Sequence, residues 1–299
     1  MKIKYTTIIL TAILLFISHW NLVPAEGSDK KQYDSSYTIP RNIRMSFTIK
    51  NPTGELIKDT EFWTYAPVNK TSTQEVININ SSHEYRLEND AMGDQIMFFN
   101  FPTIPPFTVK IIDIDVTLML SESPQKISID NQDNYLKPEK YCESDDPSII
   151  SLAESLKTKN AFESATNIYK WVSGNIAYSG YIKNMRGALY ALENRKGDCT
   201  EYACLFTAFC RANHIASRTV GGFICNKDSI LKPGEYHNWA EFYDDGYWKL
   251  SDTQKKVFVK NQADYIVFKI LGESEHNIFK NENGLFGCSS EGVEVKMNG

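Results

Sequence analysis

The hydrophobic periodicity of this chain changes near Tyr135, and the change divides the sequence into two kinds of structure. Before it, apolar and polar residues alternate over residues 43–50 and 110–120, which is typical of strands with one buried face. Aromatic, β-favouring runs lie between these two segments and are set off by polar and proline-containing loops. We therefore predict a small all-β, sandwich-like domain over residues 26–133.

Helical patterns begin after a polar linker that we place at residues 134–145. Asp146 and Pro147 suit the N-cap and the first position of a helix, and apolar residues then recur at helical spacing. Helical segments continue to about residue 213, and strand-like segments follow them. Helices first and antiparallel strands second predict an α+β domain over residues 146–299. The fold class that we predict for the chain is α+β.

The composition is that of a folded globular protein. The chain has 42% hydrophobic and 23% charged residues, and its formal net charge of -5 is small for 299 residues. The sequence has no long basic run, so nucleic acid is not an expected partner. It also has no paired CxxC motif with a downstream histidine and no calcium-loop motif. We therefore expect neither a metal nor another cofactor.

Residues 1–25 have the pattern of a secretory signal peptide. Lys2 and Lys4 precede an apolar stretch over residues 8–17, and Val23-Pro24-Ala25 is a small-residue cleavage site. An apolar stretch of this length falls short of the roughly 20 residues that span a bilayer. We therefore predict a cleaved signal, export to the periplasm or the extracellular space, and no stable membrane span afterwards.

The six cysteines do not have the spacing of a small disulfide-stapled scaffold. Cys204 and Cys210 fall within a helical apolar pattern, so we interpret them as buried small hydrophobic residues. We expect one or two disulfides at most.

Cys199 occupies a position that favours reactivity. Asp198 and Glu201, three residues apart, resemble a capping box, which predicts that a helix starts at Asp198 with Cys199 in its first turn. Backbone N–H groups and the helix dipole favour an anion there, so a thiolate is stabilised. The same N–H groups can bind the oxyanion that forms when sulfur attacks an acyl carbon. Cys199 is therefore a candidate nucleophile.

His237 and Asp252 lie on two segments that form a predicted hairpin. Residues that face each other across an antiparallel pair have a constant index sum, and these two residues centre the turn between Asp244 and Asp245. The run Asp244-Asp245-Gly246 has the composition of such a turn. We therefore predict that His237 and Asp252 lie opposite one another on the same sheet face, within about one residue of register, where the carboxylate orients the imidazole.

These motifs, taken together, resemble the core of the transglutaminase-like superfamily. The resemblance is carried by RKGDCTEYACLF at 195–206, RANHIASRTVGGF at 211–223, HNWAE at 237–241 and the DGYW run that leads to Asp252. It covers residues 161–253 and implies a papain-like fold with Cys199 as nucleophile, His237 as base and Asp252 as the orienting residue. His214 stands where the family usually has glycine.

The resemblance implies an enzyme that forms a thioester acyl-enzyme from an amide or thioester substrate. A peptide, a protein or an acyl-thioester is the expected donor. If an amine takes the acyl group, the enzyme is a cross-linking or amide-forming acyltransferase, which is the interpretation we favour. If water takes it, the enzyme is a peptidase, amidase or deamidase. A third interpretation is a non-catalytic binding module. Tyr178 is interpreted as a packed residue, with a place in the acyl site or donation to the oxyanion as the alternative.

Overall fold

The computed structural model of the protein describes residues 34–129, 131–181, 184–272 and 284–299. The signal-peptide prediction for residues 1–25 lies outside these ranges. Within them, no helix is both long and apolar enough to cross a bilayer.

The first part of the described chain consists of strands. They are β1 (Ile39–Lys50), β2 (Ile57–Ala66), β3 (Gln74–Ser81), β4 (Arg86–Asn89), β5 (Gln95–Ile104) and β6 (Val109–Leu120). The predicted alternation is confirmed in β1 and β6, whose inward residues are at most 2% exposed: Ile43, Met45, Phe47, Ile49, Ile112, Ile114, Val116, Leu118 and Leu120. The six strands divide between two sheets that share one apolar core.

The second part begins with helices and continues with strands. Its elements are α1 (Pro147–Leu156), α2 (Ala161–Asn175), β7 (Ala177–Tyr178), α3 (Gly187–Asn194), β8 (Lys196–Gly197), α4 (Cys199–Ala212), β9 (Ser217–Ile224), β10 (Ser229–Ile230), β11 (Tyr236–Asp244), β12 (Tyr247–Asp252), β13 (Val257–Phe258), β14 (Tyr265–Leu271), β15 (Phe286–Cys288) and β16 (Glu294–Met297). The α+β class is confirmed.

Three strands of the second part add to the sheets of the first. One sheet has the order β10-β1-β6-β3, with β16 also paired to β1, and the other has the order β15-β2-β5-β4. We call these two sheets together the sandwich. Phe47 and Phe62 meet across it with ring centroids 5.1 Å apart. Phe223 of β9 and Phe268 of β14 belong to the same apolar core. The predicted boundaries at 134–145 remain predictions.

A third sheet carries the candidate site. Its order is β13-β12-β11-β9-β14, and we call it the site sheet. Helix α4 packs against β9 and β11 of this sheet and against the other three helices. Residues 200–211 of α4 are all buried. A helix that is buried on all sides is held by its whole surface, so its first residue is fixed in place.

Two local features follow the sequence expectations closely. Asp146 caps α1 through its side chain, which accepts the N–H of Ser148, and Pro147 is the first helical residue. At the other end of the helical region, His214 has a φ of 60° just after α4. That left-handed conformation explains why glycine is favoured at this position, since glycine adopts it without steric cost.

Gly222 provides a test of how tightly the site sheet is packed. A Cβ at Gly222 would lie 1.9 Å from the carbonyl oxygen of Ile266 and 3.0 Å from the ring of Trp239. Because a backbone atom must move, we expect Gly222→Ala to lower the free energy of unfolding by at least about 2 kcal/mol. The measurement is the urea unfolding midpoint.

Gly174→Ala is the matched control. Gly174 lies in α2, and its added Cβ would have no atom within 4 Å. Because alanine favours a helix, this variant should be neutral or more stable by up to about 1 kcal/mol. Equal destabilisation by the two substitutions would contradict the close packing described for β9.

Candidate active site

Cys199 is the first residue of α4, and a capping box fixes that helix start. The side chain of Asp198 accepts the N–H of Thr200 at 2.8 Å, and Glu201 Oε2 accepts the N–H of Asp198 at 2.9 Å. Glu201 Oε1 accepts the N–H of Arg186 at 3.0 Å, which ties the start of α3 to the same point. Burial raises the pKa of the Glu201 carboxyl group. The predicted capping box is confirmed.

His237 and Asp252 come from adjacent strands but are not directly opposite. The observed register pairs Ala240 with Ser251 and Asp244 with Tyr247. The turn therefore consists of Asp245 and Gly246, with φ of 52° and 88°. The predicted turn centre is wrong by one residue, because a two-residue hairpin turn with two positive φ values is the form that Asp-Gly favours.

The corrected register makes His237 and Asp252 diagonal neighbours. An extension of the pairing places Asp252 opposite Trp239, two residues from His237. Because strand side chains alternate with a period of two, His237 and Asp252 still share one sheet face. His237 Nε2 lies 2.8 Å from Asp252 Oδ2. The prediction of direct opposition is wrong, whereas the shared face is observed.

The Asp252 carboxylate is buried and accepts two further hydrogen bonds. It is 1% exposed. Tyr265 Oη donates to Oδ2 at 3.0 Å, and the N–H of Lys255 donates to Oδ1 at 2.9 Å. The sequence predictions missed both donors. Lys255 could have been found, because an aspartate before a turn commonly accepts a backbone N–H nearby. Tyr265, on a separate strand, has no local sequence signal.

His237 lies between Asp252 and the nucleophile candidate. Burial acts to lower its pKa, but hydrogen bonds to the Asp252 carboxylate and to Cys199 outweigh burial and raise the pKa to about 9. Since Nε2 is engaged by Asp252, Nδ1 is the nitrogen left for the Cys199 sulfur. The imidazole is also roughly parallel to Trp239, with ring centroids 6.3 Å apart. The structure therefore brings the three predicted site residues together.

Strand β11 is also joined to the first turn of α4. Asn238 Nδ2 donates to Thr200 Oγ1 at 2.8 Å, between residues that directly follow His237 and Cys199. Asn238 is on the opposite face of β11 from His237. This hydrogen bond holds the strand and the helix together next to the two reactive side chains.

Tyr178 lies beside the loop that precedes the nucleophile candidate. It pairs with Gly197 in a short parallel bridge, and the N–H of Ser179 donates to the Gly197 carbonyl at 2.9 Å. Its residue surface is 58% exposed. The interpretation of Tyr178 as a packed residue is therefore wrong.

The other thiols differ from Cys199 in their surroundings. All six cysteines are free, and only Cys199 and Cys288 are partly exposed. Burial raises the pKa of Cys225 to about 11 and also raises the pKa of Cys210 and of Cys288. Cys204 and Cys210 are buried, as predicted. In the part of the chain that the structure describes, no three His, Cys, Asp or Glu side chains form a group that could hold a metal ion.

Comparison with known proteins identifies the family to which part of the chain is similar. Residues 150–253 match the family model of the transglutaminase-like superfamily, which confirms the resemblance and begins it at residue 150. No curated protein matches the chain. A candidate cysteine protease from Cytophaga hutchinsonii has a similar structure, with 19% identity, a TM-score of 0.56, and coverage of 87% of this chain and 92% of that chain. The two proteins therefore share a fold.

Two further solved structures are more distant. The periplasmic domain of TgpA from Pseudomonas aeruginosa is 14% identical with a TM-score of 0.40, and covers 71% of this chain and 88% of that chain. Red sea bream transglutaminase is 8% identical with a TM-score of 0.31, and covers 79% of this chain and 52% of that chain. From the family match we conclude that residues 150–253 form a transglutaminase-like domain and that the chain is an enzyme of the acyltransferase or cysteine hydrolase kind.

Proposed function

We propose that Cys199, His237 and Asp252 form a catalytic triad that takes an acyl group from a peptide or protein amide. The observation that carries the proposal is the His237 ring, which Asp252 holds through Nε2 at 2.8 Å, with Nδ1 left for the Cys199 thiol at the start of α4. In this triad Cys199 is the nucleophile, His237 moves the proton, and Asp252 orients the imidazole.

The first half of the reaction follows from this geometry. The Cys199 thiolate attacks the carbonyl carbon, and the carbonyl electron pair moves onto oxygen. Asp198 already accepts the Thr200 N–H, which leaves the N–H of Cys199 itself to bind that oxyanion at the start of α4. The His237 imidazolium then gives its proton to the leaving nitrogen as the C–N bond breaks. The products are an amine and a thioester on Cys199.

The second half returns the enzyme to its starting state. We propose that a primary amine attacks the thioester, that neutral His237 accepts the amine's proton, and that a new amide leaves. Water can enter the same position, and the chain would then act as a peptidase, amidase or deamidase. The two reactions share every residue named here and differ in the acceptor alone.

We also propose that the enzyme works outside the cytoplasm. The support is the N-terminal sequence pattern, in which Lys2 and Lys4 precede an apolar stretch and a small-residue cleavage site.

An acyl-trapping experiment tests the proposed function. The protein is incubated with a glutamine-containing peptide library and with a peptide thioester, in the presence of biotinylated pentylamine, and is analysed by intact-protein and peptide mass spectrometry. We expect a thioester adduct on Cys199 and biotinylated amide products. Cys199→Ala should give neither, whereas Cys288→Ala, which alters the other partly exposed thiol, should give both.

The products separate the three interpretations. Free acid or deamidated peptide without amide product would contradict transfer to an amine and support hydrolysis. If neither the glutamine-containing peptides nor the peptide thioester acylates Cys199, the proposal of an enzyme is contradicted and a binding module is supported.

The raised pKa of His237 predicts the alkaline limb of activity. The imidazolium must donate a proton to the leaving nitrogen, so kcat/KM should fall as pH rises through about 9, where His237 loses that proton. Asp252→Asn removes the carboxylate that raises this pKa, and should move the fall to lower pH. It should also reduce the maximal rate by about a hundredfold or more. The measurement is kcat/KM against pH for the substrate found by trapping. An alkaline limb that does not move in Asp252→Asn would contradict the assigned pairing.

A further inference from the structure

We propose that the sandwich is part of the catalytic apparatus, because it holds strand β14 in place and β14 carries Tyr265, a positioning residue for Asp252. This inference rests on the proposed catalytic role of Asp252. It assigns a function to the N-terminal β region and to a tyrosine that lies beyond the family match, which ends at residue 253.

Strand β14 is the last strand of the site sheet, and its outer backbone groups are bonded by the sandwich. The N–H of Val267 donates to Gln74 Oε1 at 2.7 Å, and the Val267 carbonyl accepts from Gln74 Nε2 at 3.0 Å. The same carbonyl accepts the N–H of Val68 at 2.9 Å. The N–H of Ile270 donates to Asp94 Oδ1 at 2.8 Å. Residues from the sandwich region therefore take the place of a neighbouring strand.

The side chains that form these hydrogen bonds to β14 are buried, so water cannot replace them. Gln74 is 0% exposed and Asp94 is 1% exposed. Gln74 Nε2 also donates to the Val68 carbonyl at 2.7 Å, so one side chain links the loop after β2 to β14. An edge strand without such partners would expose unpaired N–H and C=O groups and would be free to move. The position of β14 therefore depends on the sandwich.

Tyr265, the first residue of β14, carries this constraint into the triad. Its hydroxyl donates to Asp252 Oδ2, the same oxygen that accepts His237 Nε2. Its ring packs edge-on against Trp239 with centroids 5.1 Å apart, and both residues lie in one apolar cluster with Val68. The rotation of the Asp252 carboxylate is thus set by Tyr265 on one oxygen and by the Lys255 N–H on the other.

Loss of the Tyr265 hydroxyl has two consequences for His237. The Asp252 carboxylate loses one of its three fixed donors, so the His237 ring spends less time in the orientation that reaches Cys199. Without the Tyr265 hydroxyl, Asp252 Oδ2 also interacts more strongly with the His237 imidazolium, so the pKa of His237 should rise. The titratable groups around Tyr265 are Asp252, Asp264 and Tyr169, and those around His237 are Asp252 and Cys199.

The test compares Tyr265→Phe with Tyr243→Phe in the full chain. Tyr243 is a tyrosine of β11 whose hydroxyl donates to the Ile127 carbonyl at 2.9 Å, away from the triad. The readouts are the rate of Cys199 alkylation by iodoacetamide near neutral pH and the His237 titration midpoint by NMR. For Tyr265→Phe we expect a higher His237 midpoint. We also expect an alkylation rate about tenfold lower, because His237 is already protonated near neutral pH and only its lost orientation changes the rate. Tyr243→Phe should change neither readout.

A Gln74→Leu variant tests the contribution of the sandwich. We expect it to shift both readouts in the direction of Tyr265→Phe and to speed amide exchange of residues 265–271. An unchanged midpoint and rate in Tyr265→Phe would overturn the proposal. If Tyr265→Phe changes the alkylation rate and the His237 midpoint but a folded Gln74→Leu protein changes neither, the proposed role of the sandwich is overturned. If wild-type Cys199 shows no reactivity that depends on His237, the proposed catalytic function fails first, and the two failures are distinguishable.

Discussion

The buried carboxylate of Asp252 is the interaction on which the rest of the site depends. Three donors converge on it: the His237 ring of β11, the Tyr265 hydroxyl of β14 and the N–H of Lys255 in the turn after β12. A charged group at 1% exposure is costly unless such partners surround it, so the fold must hold β11, β12 and β14 at fixed positions around this carboxylate. The same requirement fixes the imidazole that faces Cys199.

The helix and the sheet supply complementary halves of the proposed chemistry. Helix α4 is buried over residues 200–211, which leaves Cys199 as a rigidly placed, partly exposed thiol at the positive end of the helix. The sheet supplies the imidazole, whose pKa is raised to about 9 by Asp252 and Cys199 despite its burial. The Asn238–Thr200 hydrogen bond joins the two halves.

Local patterns predicted much of this structure. The two-residue alternation located β1 and β6, and Asp198 with Glu201 located the start of α4. The hairpin prediction placed His237 and Asp252 on one face but was wrong about direct opposition, since a turn centred one residue later changes the pairing by two. An even change preserves the face, which explains why the site was found although the register was not.

The features that were not predicted are long-range. Gln74 hydrogen-bonds to Val267, which is 193 residues away in the sequence. Strand β16 pairs with β1 although the chain between them contains the whole site sheet. Hydrophobic periodicity describes which face of a strand is buried, and does not specify which distant strand lies beside it. Tyr265 belongs to this class, because its role depends on the order of strands in the site sheet.

The most direct test of the central claim is mass-mapped iodoacetamide labelling of wild type and His237→Ala from about pH 5 to 9. Cys288 serves as the internal reference, because it is the other partly exposed thiol. We predict that Cys199 is labelled selectively near about pH 6 and that His237→Ala abolishes the selectivity. Slow labelling that follows exposure alone, equal at Cys199 and Cys288 and unchanged in His237→Ala, would contradict an activated Cys199–His237 pair.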